Sequence, residues 1–185
     1  MSSLVNGFIK RLDTCPAGTA GWRQFETLCL EILEYLFVPS LINHGPQVSS
    51  FSGIDRRDAI FANRNLGATT DPLLRNWYTL YLELQARMIV FEFKNYEKET
   101  VGKDEVNQTR NYIKKTMGKL AIIITNKPVD DSAKTQRNIV YNQEEKVILF
   151  VTKDKLKEML YMKERGDEPS DLIMQLLEQF YIQHE

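Results

Sequence analysis

The chain has 185 residues, of which 43% are hydrophobic, and a formal net charge of −1. That is enough chain for one domain with its own core, and too apolar a composition for disorder. No apolar run approaches the ~20 residues that span a bilayer, so no membrane partner is expected. The near-neutral charge gives the whole surface no pull on nucleic acid, so any such role must come from a local site.

The opening "MSSLVNGFIKRLDT" lacks the basic-then-apolar design of a signal segment, and a cytoplasmic location is expected. A short helix is predicted over 3–12. Residues 22–37 read as a second helix, with Trp22, Phe25, Cys29, Ile32, Leu33 and Leu36 at helical spacing on one apolar face, Thr19 as its cap and Pro39 past its end. Cys29 belongs to this core face. With Cys15 the only other cysteine and no CxxC pair, a disulfide framework is not expected.

Residues 13–20, 40–55 and 63–70 look most like loops, with strand character near 46–51. "RRDAIF" alternates as a strand near 57–62, with Arg56, Asp58 and Ile60 against Arg57, Ala59 and Phe61. A helix follows, capped by Thr70 or Asp71 with Pro72 in its first turn. Residues 88–95 alternate again: Ile89, Phe91 and Phe93 against Val90, Glu92 and Lys94. A helix over 104–117 turns Val106, Ile113 and Met117 inward, and Gly118 ends it. "KLAIIITN" is short, β-branched and continuously apolar, as a central strand covered on both faces would be. Then come a helix over 131–142, the buried strand "KVILFVT", a helix from cap Thr152 to Gly166, and a last helix from "EPSDLI". Alternating strands and helices define an α/β fold with a mixed or largely parallel sheet flanked by helices, in a single domain over residues 1–185.

Glu92 and Lys94 share one face of a strand whose flanks are apolar and aromatic. On an edge strand such a pair would be a surface ion pair worth ~0–1 kcal/mol. In a central strand, burying both charges costs several kcal/mol unless they are paired or hold a metal. A neighbouring strand adds Asp58. Two carboxylates suffice to anchor Mg²⁺, which keeps waters and takes phosphate oxygens. A lysine beside them can orient the attacking water or stabilise developing charge.

"RRDAIF…VFEFKNY" resembles the PD-(D/E)xK, or restriction-endonuclease-like, nuclease superfamily, and is similar to restriction-like effector domains of bacterial defence proteins. The resemblance covers about residues 20–126, with 127–185 as a C-terminal elaboration. It implies a helix, a three-stranded meander, a helix and a fourth strand. It also implies a metal-dependent endonuclease acting on DNA, with RNA as an open alternative substrate, Mg²⁺ as cofactor and Mn²⁺ able to substitute. It puts the metal-binding aspartate on Asp58, the second acid on Glu92 and the lysine on Lys94. Arg57 stands where the family often has proline, and Asp55 competes with Asp58. Glu26 falls where related nucleases place an additional metal or water ligand, with a solvated glutamate as the equal alternative. Gln108 falls where they aim a polar side chain from the following helix. Tyr112, one turn on, reads as packed or as lining the same cleft.

Arg56 and Arg57 flank the acid and can grip phosphate or pair with the aspartates. Asn95 and Tyr96 end the active strand, near substrate or in a turn. Lys114, Lys115 and Lys119 make a short basic run, either a phosphate contact or a solvated face. His44 and His184 stand apart from any cysteine cluster, which speaks against zinc. Cutting both strands of a duplex calls for two sites, so a homodimer or a multi-subunit defence complex is expected. Two other readings stay open: a catalytically weak interaction module on a nuclease fold, and a structural domain in which Asp58, Glu92 and Lys94 form a buried ion-pair network.

Overall fold

The computed structural model describes residues 3–49 and 56–184. Five strands form one sheet in the order β1-β2-β3-β4-β5: Leu41–Ser49, Arg56–Asn63, Met88–Lys94, Leu120–Thr125 and Val147–Thr152. β2 runs antiparallel to both its neighbours, β1 and β3, whereas β3, β4 and β5 are parallel. The helices are α1 (Ser3–Thr14), α2 (Trp22–Phe37), α3 (Pro72–Leu84), α4 (Lys103–Tyr112), α5 (Asp131–Glu144), α6 (Lys153–Arg165) and α7 (Ser170–Gln183).

The alternation in β3 divides the core. Ile89, Phe91 and Phe93 join the larger cluster, with Ala59 and Phe61 of β2 and the apolar faces of α1, α2, α3, α6 and α7. Val90 joins a smaller cluster formed with α4 and α5 through Val106, Ile113, Ala133 and Val140. β4 is buried along its whole length, as its unbroken apolar run requires. α4 and α5 are the crossovers between parallel neighbours, so both lie on the smaller-core side.

Local signals set most boundaries. Asp71 caps α3 by accepting from the Leu73 amide, Asp130 caps α5 through the Ala133 amide, and Thr152 caps α6 through the Lys155 amide. Four expectations give way. Thr19 does not cap α2; it lies in a one-turn 3-10 helix, and Gly21 takes the position because a Cβ there would meet the Pro16 carbonyl oxygen at 1.8 Å. Trp22 is not core: it is 42% exposed, unlike the other five residues of that face.

Strand β1 begins at Leu41, inside the expected loop, because an edge strand tolerates Pro46 beside a register shift between Asn43 and Pro46. The end of the expected strand and Asp55 lie outside the described residues. Finally, α4 stops at Tyr112 rather than Gly118. Arg57 Nε donates to the Tyr112 carbonyl, which a longer helix would give to the amide of Thr116, and the Arg87 and Met88 amides hold the Met117 carbonyl against the start of β3. Gly118, at φ +99°, presses against the Gln85 carbonyl, where a Cβ would come within 2.0 Å.

Candidate active site

Residues Ala59 and Phe91 face each other across β2 and β3, so the next step along the antiparallel ladder brings Asp58 opposite Glu92. Asp58 Oδ2 accepts from the Phe93 amide at 2.7 Å. Glu92 is 2% exposed. One of its oxygens, Oε2, lies 3.4 Å from Lys94 Nζ. The other, Oε1, is buried and has no hydrogen-bond partner among the described residues. Burial first, and the charge of Asp58 second, push the Glu92 carboxyl up to about 8, against a smaller downward pull from Lys94.

Lys94 Nζ also donates to Gln108 Oε1 at 2.9 Å, and Gln108 Nε2 donates to the Tyr112 hydroxyl at 2.8 Å. Gln108 and Tyr112 are four apart on α4 and so share a face. Tyr112 thereby fixes which end of the Gln108 amide meets the lysine. The family resemblance pointed to Gln108; at Tyr112 a packed tyrosine and one lining the cleft both fit the sequence.

The exit from β3 is braced from several directions. The Tyr96 hydroxyl donates to Glu105 Oε1 at 2.7 Å, and Glu105 Oε2 accepts from the Gly102 amide at 2.8 Å, which ties the strand end to the start of α4. Burial and then Glu105 push the Tyr96 phenol well up. Asn126 clamps the Tyr96 backbone, accepting from its amide at 2.8 Å and donating to its carbonyl at 2.9 Å. Asn95 Nδ2 donates to the carbonyls of Pro16 (2.9 Å) and Gly18 (3.2 Å). In the sequence the Asn126 clamp shows only as a second polar residue, after Thr125, at the end of β4.

The other candidates are spread more widely. Glu26 is half-buried on α2, and burial first, then the charges of Cys15, Asp58 and Glu26, push the Cys29 thiol of the same helix up. Arg57 is 3% exposed. The Arg56 side chain is outside the described atoms. Lys115 lines a shallow cavity with Tyr81, Gln85 and Arg87 at the amino end of β3, so it is about 20 Å, the length of that strand, from the Lys94 end. Lys114 is exposed on the same turn.

Among the described residues, no group of three or more His, Cys, Asp or Glu is gathered to hold a metal ion. The pair Asp58 and Glu92, with one buried oxygen left over, fits a hard cation that completes its shell with water and phosphate oxygens. A self-sufficient ion-pair network would instead use both glutamate oxygens.

A mixed five-stranded sheet flanked by helices is the restriction-endonuclease-like fold of the PD-(D/E)xK nucleases; here Glu92 and Lys94 stand at the carboxyl end of β3 and Asp58 near the start of β2. The chain belongs to the restriction endonuclease family whose model, Mrr_cat, matches residues 18–160. It is 29% identical over 133 residues to a putative transposon gamma-delta 80.3 kDa protein of Escherichia coli (strain K12). That match covers 72% of this chain and 18% of that protein, so the chain spans under a fifth of its relative's length. Among solved structures it is similar to the restriction endonuclease FokI bound to DNA, with a TM-score of 0.54 and 8% identity, over 90% of this chain and 28% of that one. At that identity the likeness is one of fold.

Proposed function

We propose that this chain is a metal-dependent endonuclease domain that hydrolyses phosphodiester bonds in DNA, using Mg²⁺ or Mn²⁺. The observation that carries the reading is Glu92, which stands opposite Asp58: its Oε1 is buried with no hydrogen-bond partner among the described residues, while its Oε2 lies 3.4 Å from Lys94 Nζ. Asp58 and Glu92 would hold the cation, with Glu26 in support from α2. When bound, the cation neutralises charge building on the phosphate and makes a coordinated water a stronger nucleophile. Lys94 would orient the attacking water and face the developing charge, and Gln108 steadies its ammonium from 2.9 Å. The setting we assign is a cytoplasmic restriction or defence system, with two copies, or a larger assembly, serving the two strands of a duplex.

The test is cleavage of plasmid, linear and single-stranded DNA, and of RNA, with Mg²⁺, Mn²⁺ or EDTA, by wild type and Lys94→Ala. Metal-dependent cutting of DNA that disappears in the variant is expected. Cutting that persists in Lys94→Ala would remove the lysine from the mechanism. No cutting of any substrate by the wild type would favour an interaction module on a nuclease fold.

A further inference from the structure

Trp22 is the first residue of α2 and belongs by spacing to its core face, yet its indole stays 42% exposed. It opens on a cavity of about 390 Å³, within the range of small-ligand sites. One wall is Gly18 and Trp22; the other is Asn95, Tyr96, Glu97 and Glu99, directly after Lys94.

The walls are held together before any ligand arrives. Asn95 bonds to the carbonyls of Pro16 and Gly18, and Asn126 grips the Tyr96 backbone. Gly18 sits at φ +72°, and a Cβ there would come to 3.1 Å from the Glu97 Cβ, so glycine lets the two walls close up. The lining carries two carboxylates against one ammonium, Lys98, which disfavours phosphate inside the cavity while offering acceptors to base amino groups. Just outside, the Arg23 guanidinium lies 5.2 Å from the centroid of the Trp22 ring, a cation placed for the phosphate of the same nucleotide.

We propose that this cavity is a nucleobase subsite. An unpaired base next to the scissile phosphate stacks on Trp22, while its backbone runs past Arg23 towards Lys94. The inference rests on the nuclease reading and adds a substrate preference to it: single strands, or duplexes with a displaced base, over continuous helix, whose bases are already stacked.

The protein reports on itself. It has two tryptophans, and the other, Trp77, is 0% exposed. With EDTA present, so that nothing is cut, the chain is titrated with a short mixed-sequence single strand and with a fully abasic strand of equal length. The base-bearing strand is expected to quench the emission of the exposed tryptophan and to bind about tenfold or more tighter than the abasic one. Trp22→Ala, at a solvent-exposed position, should lose the quenching and bind both strands at the abasic level, with Trp22→Phe restoring part of the difference. Equal affinity of the wild type for the two strands, or unchanged binding by Trp22→Ala, would overturn the subsite. Cleavage with Mg²⁺ alongside such a result would leave the nuclease reading standing. Base-dependent binding by a chain that never cuts would do the reverse.

Discussion

At its amino end β3 is held by main chain. The Arg87 and Met88 amides donate to the Met117 carbonyl, the Lys119 amide to that of Leu84, and Gly118 packs on the Gln85 carbonyl. At its carboxyl end, six residues on, one main-chain bond from the Asn126 amide to the Lys94 carbonyl is joined by a set of side-chain bonds: Asp58 to the Phe93 amide, Gln108 to Lys94, Tyr96 to Glu105, and Asn126 to the Tyr96 backbone. A backbone-held end tolerates side-chain exchange and fails when the backbone is crowded. An end braced by side chains loses its chemistry to a single substitution.

The largest expected effect is at the carboxyl end. Lys94→Ala should lower the cleavage rate by about a hundred- to ten-thousandfold, the range for losing a positioned acid–base or electrostatic group, with a melting temperature close to wild type. Single-turnover kinetics and thermal unfolding of the same preparation would check both halves. At the amino end the pattern reverses. Gly118→Ala should cost about 2–4 kcal/mol of stability through the backbone clash and positive φ, measured by urea unfolding, while the rate per folded molecule stays unchanged.

Glu92 sharpens the contrast through pH. Its carboxyl is raised from 4.5 to about 8, so between those values the folded chain holds a proton that the unfolded chain has released. Without metal, its contribution to stability is therefore complete below pH 4.5 and is lost as pH rises through about 8. Glu92→Gln should flatten that slope and raise the metal-free melting temperature by a few degrees near pH 8, about 1 kcal/mol. A loss of about 3–5 kcal/mol would instead identify an ion-pair network. A cation has to displace the same proton, so Mg²⁺ affinity by calorimetry should climb with pH up to about 8.

Smaller again is Tyr112→Phe, which frees the Gln108 amide to turn its nitrogen towards Lys94. A fewfold fall in rate without a change in melting temperature is expected, of the size of one hydrogen bond, about 1 kcal/mol. The smallest effect is Lys115→Ala, at the far end of the strand. Cleavage and stability should both stay at wild type, within about 0.5 kcal/mol.

The fold was legible where periodicity and capping chemistry are local. The α2 boundaries, the caps Asp71 and Thr152, the buried run of β4 and the two-faced alternation of β3 all follow from neighbours in sequence. Misreadings arose where a distant backbone decides. Nothing near Thr19 reveals that Gly21 must lie against Pro16, and nothing in "NYIKKTMG" reveals that Arg57 and the start of β3 take the carbonyls of that segment. The site divides in the same way. Asp58, Glu92, Lys94 and Gln108 meet because pleat and helix periods bring them together. The basic run at 114–115 looks near in sequence, but α4 carries the chain back along the sheet before reaching it.

Asp58 is also the clasp at the point where β2 and β3 part. Backbone pairing between them is registered as far as Ala59 and Phe91, and the next bond on that side, to the Phe93 amide, is taken by the Asp58 carboxylate. A charge centre and a zipper stop thus coincide in one residue. Fraying of the outer hairpin, β1 with β2, would carry the acid away from Glu92, and slow exchange of the Phe93 amide proton would mark the closed state. Whatever binds at Asp58 competes with, or reinforces, the fastening of that hairpin to the rest of the sheet.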